Sequence, residues 1–291
     1  MTEIMEGITH SILDVEFESL PSYVVYSTKR MFLDSIGCAI ADTLVDKGKY
    51  ATIFSKKNVG PPESTILGTN QRVSSLSASF TSGELMNALD MDGLMFPASH
   101  SPPMVTPVSP AIAEGLSLSD KDLIATLSIA YELSVRLEGA LSEWRWFVAE
   151  PPDFVRMEIP AVSGVGFCIF AGGAGLAKVF RLDGEGIGNA MGIAGYISPV
   201  PTMGKWSHTS PNAMTKYGSA GFTSQAEILA ILIGKEGYSG DKTVLDGEHG
   251  SFQFFRSQRW KSEVILKKIG EKRRFPTHTN HIRVVGLCTK G

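Results

Sequence analysis

The stretch SDKDLIATLSIAYELSVRLEGAL, residues 119–141, decides the fold class. Ser119 followed three residues later by Asp122 has the spacing of a capping box, in which two side chains satisfy each other's backbone N–H groups at a helix start. Beyond it Leu123, Leu127, Ala130, Tyr131, Leu137 and Leu141 recur at helical spacing. In that phasing Glu132, Arg136 and Glu138 are expected to face water. The same periodicity appears on either side. Pro21 suits the first turn of a helix, where its missing N–H costs nothing. Tyr23, Val24, Met31, Phe32, Ile36 and Ile40 then continue a helix to Ala41. Further helices are expected over about 162–180 and 220–232. Strand signals are few: Ser64 to Leu67 and Ile282 to Leu287. The expected class is mainly α, with no internal repeat and no low-complexity linker.

The chain has 291 residues, 43% of them hydrophobic and 20% charged, enough for one large domain, or one domain and part of another. A net charge of −3 gives no clustered positive field of the kind that nucleic acid or a membrane surface attracts. The one dense basic stretch, Lys267 to Arg274, contains Glu271 and reads as a solvated helix end or loop. Cys38, Cys168 and Cys288 are far apart and odd in number, which suggests neither a zinc site nor a disulfide framework. Cys38 and Cys168 sit in apolar runs and read as buried small hydrophobes. The polar, acidic N-terminus lacks a secretory pattern. The longest apolar run, Val162 to Ala177, is too short and glycine-rich to cross a membrane. The expected location is cytoplasmic, with mitochondria left open.

Two glycine clusters raise the question of a phosphate loop. Gly172, Gly173 and Gly175 lie inside a helical pattern, and Gly184, Gly186 and Gly188 follow a helix and not a strand. Neither has the strand–turn–helix context of a dinucleotide site. Close helix packing is the preferred reading, and no cofactor is expected.

Two stretches could carry chemistry. Asp90, Asp92 and His100 fall within eleven residues, separated by a proline-containing loop. Histidine suits proton transfer near neutrality, and nearby carboxylates can orient it. The alternative is a pair of solvated or helix-capping aspartates beside a loop histidine. A metal site is not expected, because no second histidine stands at ligand spacing. The second stretch runs from Gly204 through Lys205, His208 and Lys216 to Gly218, before an apolar helix. Helix starts attract anions, and lysine offers a charged donor to a carboxylate. The alternative is an ordinary surface loop.

Across nearly its whole length the chain resembles the MmgE/PrpD family, which includes 2-methylcitrate dehydratase, cis-aconitate decarboxylase and iminodisuccinate epimerase. Leu20-Pro21 followed by Phe32-Leu33-Asp34-Ser35-Ile36-Gly37 is similar to the family's "LP…LLDtlG" opening. Gly68-Thr69, Ala78 to Gly83 and Asp90 resemble "GT…AAfaNG…D.DD". His100-Ser101-Pro102, Pro107 and Ala111 to Glu114 resemble "HPg…PAalAlAE". Asn189 to Gly195 is similar to "nAlgiAg", and Lys216 is followed, at family-like spacing, by Gly237 to Gly240 and Val244-Leu245-Asp246. No single motif is decisive; their shared order carries the resemblance.

The resemblance implies a large all-helical domain over residues 1–255 and the start of a smaller α+β domain over 256–291, most of which is expected to be missing. It implies a homodimer, and a cofactor-free lyase that dehydrates or decarboxylates a small di- or tricarboxylate. Asp90, His100 and Lys216 take catalytic positions; Asp92, His208, Arg273 and His278 take substrate-binding ones. Leu94 stands where decarboxylase-type members have threonine, and Gly93 where the family pattern has a second acid. Residues 158–163 lack an expected histidine, and Ser219 replaces another. An isomerase or epimerase of a dicarboxylate, or an inactive dimerising remnant, are the alternatives these departures leave open.

Overall fold

The computed structural model describes residues 2–58, 60–95, 100–141, 146–150, 154–158, 164–199, 209–211, 213–215, 220–255, 260–269, 273–277 and 279–280. The mainly α class expected from the sequence holds. Three two-stranded antiparallel ladders accompany the helices among the described residues. The predicted strand at 282–287 and Cys288 lie outside those residues.

Helix α1 (Glu3–Leu13) is capped by Thr2, whose side chain accepts from the Met5 N–H at 3.4 Å, and buries Ile4, Met5, Ile8 and Ile12 on one face. Helix α2 (Ser22–Asp42) begins directly after Pro21. Val24 and Met31 are buried along it, whereas Tyr23 and Ile40 are largely exposed, so the inward stripe is narrower than the apolar run. Helix α3 (Asp46–Lys57) follows. Of the strand predicted at 64–67, only Ser64–Thr65 (β1) pairs, with Arg72–Val73 (β2). Ser74 then caps α4 (Ser75–Asn87), which is buried almost throughout. Strand β3 (Leu94–Met95) and helices α5 (Pro102–Val105) and α6 (Val108–Leu116) lead to α7 (Asp120–Leu141).

The capping box of α7 is present: the Asp122 N–H donates to Ser119 Oγ and the Ser119 N–H to Asp122 Oδ2, each at 3.2 Å. The expected water-facing side is not. Glu132, Arg136 and Glu138 are all buried, because neighbours surround α7 and leave the inner turns no solvent side. Each of the three side chains has at least one protein partner instead, as buried polar side chains usually do. Arg136 Nε donates to Glu132 Oε1 at 2.7 Å, and its Nη1 donates to the carbonyls of Ile265 and Lys267 at 2.8 and 2.9 Å. Glu132 Oε2 accepts from the N–H groups of Arg274 and Phe275. Lys267 and Lys268 are exposed, as a solvated segment requires, whereas Arg273 and Arg274 at its other end are half-buried.

A hairpin of β4 (Trp146–Glu150) and β5 (Phe154–Glu158) comes next, and the strand reading had not included it. Its sequence cue is two runs rich in β-formers separated by Pro151-Pro152-Asp153. The helix expected over 162–180 is not continuous. A 3-10 helix spans Gly164–Phe170, and α8 (Gly172–Val179) starts after a break at Ala171. Closely spaced glycines weaken a continuous helix and here allow close approach: a Cβ on Gly175 would lie 2.5 Å from the Thr126 carbonyl oxygen. Asp183 caps α9 (Gly184–Tyr196), which places Gly184, Gly186 and Gly188 in the first turns of an ordinary helix.

Helix α10 (Ala220–Lys235) covers the helix expected at 220–232 and lies antiparallel on α4. Gly221 meets Phe80 and Glu84, while Ser224 and Gln225 reach back to the carbonyls of Ser79 and Leu76. A Cβ on Gly221 would stand 2.3 Å from the Phe80 carbonyl oxygen, and one on Gly83 would stand 2.9 Å from the Gly221 nitrogen. The two backbones therefore touch. Ile265 of α11 (Glu263–Leu266) and Phe275 beyond it are buried in the same core, and Thr279–Asn280 (β6) pairs with β3. No helix among the described residues is long and apolar enough to cross a membrane.

Candidate functional site

The acid–base cluster is assembled at the C-terminal end of α4. Asp42, the buried last residue of α2, accepts the Leu89 N–H on Oδ2 at 2.9 Å and so fixes the turn after α4. That turn ends at Asp90 with φ 59°. This left-handed conformation is uncommon outside glycine; aspartate tolerates it better than most residues, and such positions cluster at functional sites. Asn87, at the end of α4, donates its amide to Asp92 Oδ1 at 2.9 Å. Asp92 Oδ2 is 2.7 Å from His100 Nδ1, and Asp90 Oδ1 is 3.7 Å from His100 Nε2.

These distances give the three residues different places. The side chain of Asp92 is 1% exposed, against 16% for both His100 and Asp90. Asp92 therefore orients, and the imidazole and Asp90 can be reached. A carboxylate oxygen only accepts, so the short bond sets the proton of a neutral ring on Nδ1 and the lone pair on Nε2. The orienting bond comes from Asp92 and not from Asp90, although the sequence reading gave Asp92 a substrate-binding place. The same trio offers one ligand atom each within 4.8 Å, so a cation could also be held between Nε2 and the Asp90 carboxylate.

A buried layer lies beneath the histidine. Ser101 Oγ donates to Glu138 Oε1 at 2.8 Å, and Cys168 Sγ lies 3.4 Å from Met104 Sδ. Burial pushes the Glu138 carboxyl well above the usual range, against the opposing effect of the Ser101 bond. Glu227 is raised in the same way, with the Gly172 N–H opposing. The Cys168 thiol is pushed up by burial first and by these two acids second. Both described cysteines, Cys38 and Cys168, are buried, as expected.

Asp90, Asp92 and His100 are thus brought together. Lys216, His208 and His278 lie outside the described residues. Arg273 sits in a small cleft with Ser11, Ile12, Glu132 and Arg136, where burial lowers its pKa and Glu132 opposes the shift. The departing positions flank the cluster: Leu94 begins β3, and a Cβ on Gly93 would meet the Met31 sulfur and Asp34. Sequence reasoning missed Asp42, Asn87, Ser101 and Glu138. Glu138 carried a usable cue, since it stands seven residues after the buried Tyr131, on the apolar stripe of α7.

Known proteins agree with this architecture. The MmgE/PrpD N-terminal domain matches residues 6–263. The chain belongs to the MmgE/PrpD family. It is similar to cis-aconitate decarboxylase of Homo sapiens, 27% identical over 290 residues that cover 96% of this chain and 57% of that protein. The Mus musculus cis-aconitate decarboxylase is 25% identical over 256 residues, covering 88% and 49%. That of Aspergillus terreus is 24% identical over 299 residues, covering 98% and 57%. The chain spans about half the length of these curated MmgE/PrpD relatives.

Proposed function

We propose that the chain supplies the acid–base part of a lyase site for a small di- or tricarboxylate of the cis-aconitate type. The observation that carries this reading is the Asn87–Asp92–His100 relay, with bonds of 2.9 and 2.7 Å, which presents Nε2 beside Asp90. In a decarboxylation, the C–C electron pair left by departing CO2 forms an enolate-like anion; His100 must enter this step as the imidazolium, gives its Nε2 proton to a carbon of that anion, and is reprotonated from solvent. In a dehydration, Nε2 takes the proton next to a carboxylate and the hydroxyl leaves as water after protonation. Lys216, His208, Arg273 and His278 are assigned to hold substrate carboxylates, with fixed positive charge stabilising the anion. The placement of α10 supports Lys216: Ala220, four residues later in sequence, starts that helix at the end of α4 that leads to Asn87. On the same reading the protein works as a cytoplasmic homodimer, and residues 256–291 lead into a second unit.

The test is proton NMR in D2O with cis-aconitate, 2-methylcitrate and related acids. Loss of CO2 or water is expected with the native protein and not with His100→Ala. Deuterium exchange next to a carboxylate, without a leaving group, moves the reading to an epimerase. Turnover unchanged by His100→Ala refutes the assigned role.

A further inference from the structure

The His100 ring is held on one side by Asp92, but the backbone that carries it needs its own anchor. Pro102 and Pro103 follow at once and have no N–H to donate, so this turn has fewer main-chain donors than most. Ser101 supplies what is left. Its carbonyl accepts from the N–H groups of Met104 and Val105 at 2.9 and 3.1 Å, and its hydroxyl donates to Glu138. Ser101 is fully buried, and Glu138 is 2% exposed. The other oxygen, Glu138 Oε2, is buried with no hydrogen-bond partner among the described residues.

A buried acid with one unused oxygen costs stability, and an apolar side chain of similar size would avoid that cost. Local rules are broken in this way chiefly at functional sites. We propose that Glu138 is a positioning residue for His100: through Ser101 it fixes the turn that carries the imidazole. Burial favours the neutral acid, so Glu138 anchors as an uncharged acceptor and adds no third negative charge beside Asp90 and Asp92. The proposal rests on the reading of His100 as the acid–base group.

Ser101→Ala removes the donor, Glu138→Leu removes the acceptor, and Glu138→Gln keeps an uncharged acceptor of the same shape. Ser101→Ala and Glu138→Leu are expected to lower kcat about 10-fold or more with KM changed less than about 3-fold, since small displacements of a catalytic group are costly. Glu138→Gln should stay within about 3-fold of native kcat, and Ser101→Ala with Glu138→Leu should be no worse than either alone, because both break one bond. Unchanged kcat in Ser101→Ala, a Glu138→Gln loss as large as that of Glu138→Leu, or losses that multiply would overturn the proposal. Should Glu138→Leu not fold, Ser101→Ala and Glu138→Gln carry the test. A second readout is independent of turnover. The Cε1–H signal of the His100 ring, assigned by its loss in His100→Ala, should move in Ser101→Ala and hold in Glu138→Gln. A signal that does not move in Ser101→Ala overturns the positioning. One that moves in a protein turning over none of the acids supports the positioning and counts against the lyase reading instead.

Discussion

Consider Glu138→Gln combined with Glu227→Gln. Both acids are fully buried, 2% and 1% exposed, and each has one oxygen without a hydrogen-bond partner among the described residues. Burial raises both well above the ordinary glutamate value, so the folded chain holds two protons that the unfolded chain releases. For a group raised on folding, the stabilising contribution is complete below the unfolded pKa and is lost as pH climbs towards the folded one. Each such proton lowers the unfolding free energy by about 1.4 kcal/mol per pH unit inside that window. Two give a slope of up to about 3 kcal/mol per unit. Glutamine cannot release a proton, so the double variant lacks this slope. Urea unfolding of both proteins between about pH 5 and pH 6, just above the ordinary glutamate value, measures the difference. The variant should gain on the native chain by about 2–3 kcal/mol across that unit and be the more stable protein at neutral pH. Parallel stability curves would show that both acids are already ionised in the folded state, and the argument from burial would then be wrong.

Other expectations follow from single contacts. Asp92→Asn keeps the shape of the relay but no longer dictates the proton on Nδ1, so turnover of a responsive acid should fall about 10²–10⁴-fold without loss of helical circular dichroism. Glu132→Ala leaves the Arg136 guanidinium buried without its carboxylate and also removes the acceptor for the Arg274 and Phe275 N–H groups. A loss of about 3–5 kcal/mol in chemical denaturation is expected. Gly221→Ala forces a methyl against the Phe80 carbonyl, where no rotamer can yield, and should cost about 1–3 kcal/mol in thermal unfolding. An unchanged melting temperature would mean that α4 and α10 can part cheaply.

Much of the helical frame could be read from spacing, because α2, α7 and α10 each carry an apolar stripe long enough to fix period and phase. What spacing hides is how many sides of a helix meet protein. Periodicity assigns the polar residues of α7 to water because it assumes one wet face, and this helix has none over most of its length. Their partners also stand far off in sequence: Glu138 meets Ser101 across 37 residues, and Arg136 meets Ile265 across 129. The break at Ala171 escaped notice for a related reason, since the closeness that the nearby glycines allow is a property of the neighbouring helix. In the candidate site, Asp90, Asp92 and His100 stood out by residue type and proximity. The order of their bonds did not, because whether Asp90 or Asp92 reaches Nδ1 depends on a left-handed turn that residue types alone do not specify.

The backbone contact between α4 and α10 has a consequence for how such a site diverges. Where side chains separate two helices, any substitution can widen or narrow the gap. Here Gly83 and Gly221 leave main chain against main chain, so the gauge between the helices is fixed by atoms that every amino acid shares. One helix leads out to Asp90, and the other begins just after Lys216. Residues at this end of the pair can therefore be exchanged while the jaw that carries them keeps its width.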